Sequence, residues 1–537
     1  GLWTGALSND WFNAGNWCGG VPTSSTNVTI SADGIQPQIN SSGAVCNNLT
    51  LSTGSVLTLG SAGSISVFGT FTNSGSLSAN SASTFNYAKT SGTQNIIAAN
   101  YGGLTLSGGG TKSFPAGTIG ISGAFTPGTF TSASQGTIEF NGTGSQTIPA
   151  FGYYNLVSSN TGARTLASSG TISITGSFTP GLNSYTVTGS TISFNGAVQT
   201  IPSFTYNHLR RDGTGTNVAT FSGNSTIQGN LTIATGGIAF NNSAVVQTIT
   251  VNGNYVQSGS ATADFGPTGT TASSILEVAG DITVSGTGSI TTTELVPNGT
   301  IVLKGTNEQN VAISITAANM SYVNFTVNNG AIMKLGAGLA LSKANGSQYR
   351  GTLSVSNGGA LNASTYTISG QGTGSQNAIL TLNPGASFIT ANTNGVTGTA
   401  ASVNTTNLDA GLNTGADYTF NGTSVQVTTG LPATVKNLII QNAAGVTLSA
   451  NLTMNGTLTL GSGTFNIVGR TFVLQNSDIH VERDGVTTTG TLATNNTTNL
   501  QFGSAGNKGG VSFTLPNNMF SSTPAAIGTL TVNRDNP

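Results

Sequence analysis

Charge is nearly absent from this 537-residue chain: Asp, Glu, Lys and Arg make up 5% of it, against roughly a quarter in an ordinary soluble domain. The 14 basic and 15 acidic residues leave a net charge of -1. No basic stripe exists to neutralise phosphates or dock on an anionic membrane, which excludes nucleic acid as a partner. No apolar run approaches the roughly 18–20 residues that a helix needs to span a bilayer, so membrane insertion is not expected. Met (4), His (2) and Cys (2) are scarce as well. With Glu, Lys, Arg and Met this rare, and Gly, Ser, Thr or Asn interrupting almost every apolar stretch, sustained helix is excluded. Disorder is excluded too, because a disordered chain pairs high net charge with few β-branched residues and this one does the reverse. An all-β protein remains.

What is there falls into two parts. Residues 1–50 hold all three tryptophans, Trp3, Trp11 and Trp17, and both cysteines, Cys18 and Cys46. The tryptophans read as the buried core of a small N-terminal cap, the alternative being indole faces offered to sugar rings. Two cysteines confined to one segment predict a disulfide that closes the loop between them in an oxidising compartment. A metal or reactive-thiol pair lacks the neighbouring His, Lys or Cys-x-x-Cys spacing that it needs.

From about residue 50 the chain repeats itself, with a period of about 54 residues. "TIEFNG" at Thr137 returns as "TISFNG" at Thr191, each followed by "QTIP" (Gln146, Gln199) and an aromatic run, "FGYYNL" or "FTYNHL". Phe140 returns as Phe194, and "AFTPG" at Ala124 returns at nearly the same interval as "SFTPG" at Ser177. An earlier copy around Ser83 fits with an insertion, and "YTFNGTSVQ" at Tyr418 restarts the pattern after a degenerate stretch. Within the repeat lie short alternating strands that start with Asn, such as "NLTL" at Asn48, "NLTI" at Asn230, "NFTV" at Asn324 and "NLII" at Asn437. Three strands per coil of roughly 20 residues predict an elongated right-handed parallel β-solenoid, or β-helix, with two to three coils per repeat. Tandem β-sandwich domains are the alternative, disfavoured because the repeat is too short for one and no linker punctuates the chain. The expected organisation is a cap over 1–50, regular repeats over 51–240, degenerate repeats over 241–415, and C-terminal repeats over 416–537 ending in an open strand.

Chemistry has little to build on. His208 sits in "NHLRRDG" with Arg210, Arg211 and Asp212, and His480 in "SDIHVERDG" with Asp478 and Glu482. On a strand, Asp478, His480 and Glu482 share one face, which suits a metal or acid–base work on a polysaccharide, but equally a solvated face backed by Ile479 and Val481. The Gly-rich "GQGTGS" at Gly370 lies between strands and offers no helix N-terminus to a phosphate. No cofactor or metal is expected.

The opening "GLWTGALSNDWFNAGNWCGGVPTSSTNVTI", followed by "AVCNNLTL", resembles the N-terminal module of large secreted surface proteins of Bacteroidota-type bacteria, and "NLIIQNAAGVTL" at Asn437 resembles their repeats. The resemblance implies a fibre-like, adhesive role and export through the type IX route. A start at Gly1 suits a mature chain after leader removal. The family's C-terminal sorting domain does not follow residue 520, so either processing or a segment of a longer protein is expected. The expected function is therefore a non-enzymatic extracellular or cell-surface adhesin or fibre subunit. It would join head to tail with its own copies through Leu530, Thr531, Val532 and Asn533, with glycans or other cells as further partners. A carbohydrate-active or carbohydrate-binding β-helix and a stalk segment of a longer monomeric adhesin are the competing functions.

Overall fold

The computed structural model describes residues 1–241, 243–266, 272–292, 299–315, 319–344, 349–372, 374–475, 481–483, 489–503, 515–521 and 526–533. Among them regular structure is strand, apart from one short 3-10 turn at Ala14–Asn16. No helix among the described residues is long and apolar enough to cross a membrane. Two units divide the chain, Gly1–Gly229 and Asn230–Pro537.

In both units nearly every strand pairs in parallel with the third strand before it and the third after it. That step of three defines a coil with three faces, and stacked coils make three parallel sheets: a β-solenoid arrangement, not a row of sandwiches. In the first unit Thr171–Ile174 pairs with Thr191–Phe194, which pairs in turn with His208–Asp212. Along these strands every second residue points inward. Ile172, Ile192 and Leu209 therefore stack in register in the core, each essentially without exposure. Burying such a side chain contributes about 1.5–3 kcal/mol relative to leaving it in water. The outward positions of the same ladder include Thr171 and Thr191, small residues that fit the coil spacing without competing for the core.

Coil length explains where the sequence period holds and where it fails. In the first unit paired residues lie close along the chain, Thr137 opposite Asn155 and Thr171 opposite Thr191. In the middle of the second unit the partners are farther apart, Gln247 opposite Ser274 and Ala378 opposite Leu408. By Asp417 opposite Asn437 the step has returned to that of Thr171 and Thr191. The degenerate stretch is thus a set of longer coils whose strands remain in register while their corner loops grow. The copy expected with an insertion near Ser83 needs none, because the strand Thr84–Tyr87 places Tyr87 almost as far before Phe140 as Phe140 stands before Phe194.

The repeat is not a whole number of coils. Between Thr137 and Thr186 lie eight strands, two coils and two-thirds of a third. The opening strands of successive copies, Thr84–Tyr87, Thr137–Phe140 and Thr191–Phe194, accordingly belong to three different sheets.

Each recurring motif residue has a defined task at a corner. Gln146 is buried; its Oε1 accepts from the Gly142 N–H (2.8 Å), and its Nε2 donates to the carbonyls of Ile121 (2.8 Å) and Gly123 (2.7 Å) one coil earlier. Gln199 repeats this with Gly196, Ile174 and Gly176. Gln94 does so with Lys89, Val67 and Gly69. In the second unit Gln309 and Gln426 make the same three bonds. The tyrosine that follows completes the corner: Tyr153 donates its hydroxyl to the Pro149 carbonyl (3.0 Å) and Tyr206 to that of Pro202 (2.8 Å). The leading Asn of the strand motif is a second clamp. Asn48, Asn155, Asn230, Asn324 and Asn437 each accept a backbone N–H of the following coil through Oδ1.

Replacing Gln146 with Ala removes three bonds and leaves the Gly123 carbonyl without a partner, while the Ile121 carbonyl keeps the Asn141 N–H, so we expect a loss of about 2–3 kcal/mol. Hydrogen exchange checks it: amides of the two coils flanking residues 121–124 and 142–148 should exchange faster, while coils of the second unit keep their protection. Unchanged protection around Gly123 would reject the staple.

Candidate functional site

Four places carry side chains with chemical potential: the N-terminal cap, the cationic corners, the two histidine segments, and the outermost described strand of the second unit.

The cap is built on edge-to-face indoles. Trp17 packs against Trp3 at 4.8 Å and Trp11 at 4.7 Å between ring centroids, and all three are buried. The Trp3 indole N–H donates to the Ile35 carbonyl and that of Trp17 to the Trp11 carbonyl, both at 2.7 Å. Beside them Asn16 is wholly buried, with Oδ1 accepting from the Leu7 and Ser8 amides and Nδ2 donating to Ser8 Oγ and the Asp10 carbonyl. Gly5 takes φ +58°, and a Cβ there would strike the Ile35 backbone, so the loop closes only with glycine. The indoles thus present no stacking face to a sugar. The first sheet ends on the antiparallel pair Leu2–Trp3 with Trp17–Cys18, after which the pairing turns parallel at Leu2 opposite Thr29.

The expected Cys18–Cys46 disulfide is not formed; both thiols are free. Cys18 lies on the exposed side of the cap's edge strand, whereas Cys46 ends the strand Ala44–Cys46 with its side chain in the core. Spacing along the chain gave no information on these directions. Burial pushes the Cys46 thiol up to about 12.

Three cations are buried at corners: Lys112, Arg164 and Arg211. Among the described residues no carboxylate is buried with them. Arg164 donates to the carbonyls of Phe140 (2.8 Å), Gly142 (3.1 Å), Ser159 (2.7 Å) and Gly162 (2.7 Å). Arg211 reaches the carbonyls of Phe194, Gly196, Ala197 and Asn217 and Gln199 Oε1. Lys112 Nζ reaches Gln94 Oε1 at 2.9 Å. Each cation follows a Gln staple in the chain and holds the staple's loop from the other side. Burial lowers the pKa of all three.

The "NHLRRDG" cluster is divided by strand alternation. Leu209 and Arg211 turn inward, while Arg210 and Asp212 pair outside at 2.6 Å, with Ser193 Oγ donating to Asp212. Of the second histidine segment, Asp478 and His480 lie outside the described residues. Glu482 is exposed on the strand Val481–Glu482 and accepts from Thr459 Oγ1 at 3.2 Å. Among the described residues no three His, Cys, Asp or Glu side chains gather to hold a metal. Of the expected assembly residues, Leu530, Thr531 and Val532 lie in the strand Thr529–Val532, paired in parallel with Asn499–Phe502, with Leu530 56% and Val532 48% exposed; Asn533 follows the strand and donates its N–H to the Phe502 carbonyl.

A family described as "Domain of unknown function (DUF8693)" matches residues 2–103, which span the cap and the coils that follow it. No curated protein matches the chain, and no solved structure does.

The thiols give a direct chemical test. In native protein iodoacetamide should add once, at Cys18, and a second time only after denaturation; intact mass reads the count, and zero native adducts with recovery on reduction would restore the disulfide.

Titration of the carboxylates and phenols sets the pH dependence. Glu308 is held below its ordinary range by Lys334 at 2.8 Å, but both side chains are 42% exposed, so solvent screens the pair. That small contribution is present above the ordinary carboxylate pKa and fades as pH falls. Asp264 and Asp417 are raised by burial, and their contribution runs the other way, improving as they protonate. Tyr87, Tyr101, Tyr153 and Tyr206 are raised by burial, so their contribution is complete below about pH 10, where an unfolded phenol ionises, and is lost as pH rises further. Melting followed by circular dichroism should be flat from about pH 5 to 8 and fall above about pH 10. A drop inside the flat range would contradict the assignment.

Proposed function

We propose that this chain is a non-enzymatic structural and adhesive protein of the extracellular space or cell surface, a fibre subunit that joins other copies head to tail. The observation that carries the reading is the strand Thr529–Val532: it is paired on one side by Asn499–Phe502, and its apolar side chains Leu530 and Val532 lie half in water. Such an edge is satisfied by strand addition, in which main-chain bonds give affinity and alternating side chains set register. The cap of a second copy, over Trp3 to Val28, is the complementary surface, with Leu7 exposed on it and Leu2 exposed beside it. This contact is heterologous, and when its rotation does not close it yields an open filament. The sparse charge and the resemblance of the opening segment to secreted Bacteroidota-type surface proteins support the same reading. As a stalk segment of a longer adhesin, the chain would instead have this edge covered by a further coil of its own polypeptide.

Leu530→Lys together with Val532→Lys leaves buried residues untouched and places two charges on the edge. Filaments seen by negative-stain microscopy with the parent chain should become dispersed single molecules with the variant. Filaments of unchanged length would reject head-to-tail docking.

A further inference from the structure

A groove of about 490 Å³ opens in the first unit where the corners of neighbouring coils meet, with Ser122, Ala124, Phe125, Asn141, Ser145 and Pro149 on its walls. No lining side chain is ionisable. Hydroxyl and amide groups alternate there with the apolar surfaces of Phe125, Pro149 and Ala124. The wall is rigid: the loop after Phe140 is held from one side by Gln146, through the Gly142 N–H, and from the next coil by Arg164, through the Phe140 and Gly142 carbonyls. It also keeps unused hydrogen-bonding capacity. The backbone N–H groups of Thr143, Gly144 and Ser145 donate to nothing among the described residues.

From this arrangement we propose that the groove binds a small neutral saccharide. A sugar ring carries C–H faces and a rim of hydroxyls, matching a wall that combines apolar patches with hydroxyl groups and main-chain donors. A charged ligand finds no exposed counter-ion: the Arg164 guanidinium behind the wall is already engaged by carbonyls. A wholly apolar ligand would cover the loop amides without pairing them. The proposal rests on the adhesive reading above and gives it a recognition site.

The test is saturation-transfer NMR of the full chain with maltose, cellobiose, lactose and N,N′-diacetylchitobiose, and with glucuronic acid as the charged control. Saturable binding of at least one neutral disaccharide is expected. Ala124→Trp fills the groove from an exposed position and should weaken binding at least about tenfold with an unchanged circular dichroism spectrum. Absence of binding across the panel, or equal binding by the Ala124→Trp variant, overturns the proposal. Retention of both parent and variant on amylose, cellulose or chitin beads likewise removes the groove, while leaving the adhesive reading standing.

Discussion

A carboxamide placed at the corner between coils is the interaction on which the rest of the arrangement depends. Strands on the flat faces find main-chain partners in the neighbouring coils. At the corner the ladder ends: the Ile121 carbonyl still accepts the Asn141 N–H, but the Gly123 carbonyl has no main-chain donor among the described residues. Gln answers both needs, accepting from its own turn and donating twice downward, as Gln146 does for Gly142, Ile121 and Gly123. Glu has the same shape but would bring a negative charge against two carbonyl oxygens. The excess of acceptors at these corners also accounts for the sign of the buried charge. Lys112, Arg164 and Arg211 are donors without acceptor capacity, and they are buried where carbonyls converge. In a chain with so few charged residues, these cations are engaged by main-chain carbonyls and by the oxygens of Gln94 and Gln199.

The alternation of the strands and their number per coil were legible in the sequence, because burial imposes period two on every face. The copies at Thr137 and Thr191 were legible for the same reason. Their rotation was not: a linear repeat does not reveal that eight strands wind through two and two-thirds coils, which places Phe140 and Phe194 on different sheets. The Asn that opens each strand motif could be seen but not interpreted, since its role lies in a hydrogen bond to the coil above. Arg211 was grouped with His208 and Asp212 by proximity along the chain, yet alternation turns it into the core. The cysteines were misread on similar grounds, their count being visible and their directions not. The groove had no sequence signal.

Because successive copies rotate, whatever the corner loops present is distributed around the coil instead of forming one stripe. The staples need only Gln, the glycine that donates to it, and the tyrosine that binds the carbonyl of Pro149 or Pro202. The residues between are held by their backbone alone. In the copy at Thr137 they are Thr143, Gly144 and Ser145; in the copy at Thr191 they are Ala197 and Val198, a shorter tip with Val198 79% exposed. The second unit places Val425 at the same point before Gln426, again exposed.

Stability and surface chemistry are therefore carried by different atoms of the same loop. A change at a tip side chain alters what the surface offers without touching the bonds that join the coils, since those run through Gln Nε2, Arg Nη and main-chain carbonyls. This separation lets one corner be a polar groove and another an exposed apolar knob. It also fixes where variation is tolerated: a substitution at Ser145 or Val198 falls on the surface, whereas the neighbouring Gln146 or Gln199 falls on the junction between coils. A repeat built this way can diversify its surface at every corner while its strands stay bound to one another by the same few bonds.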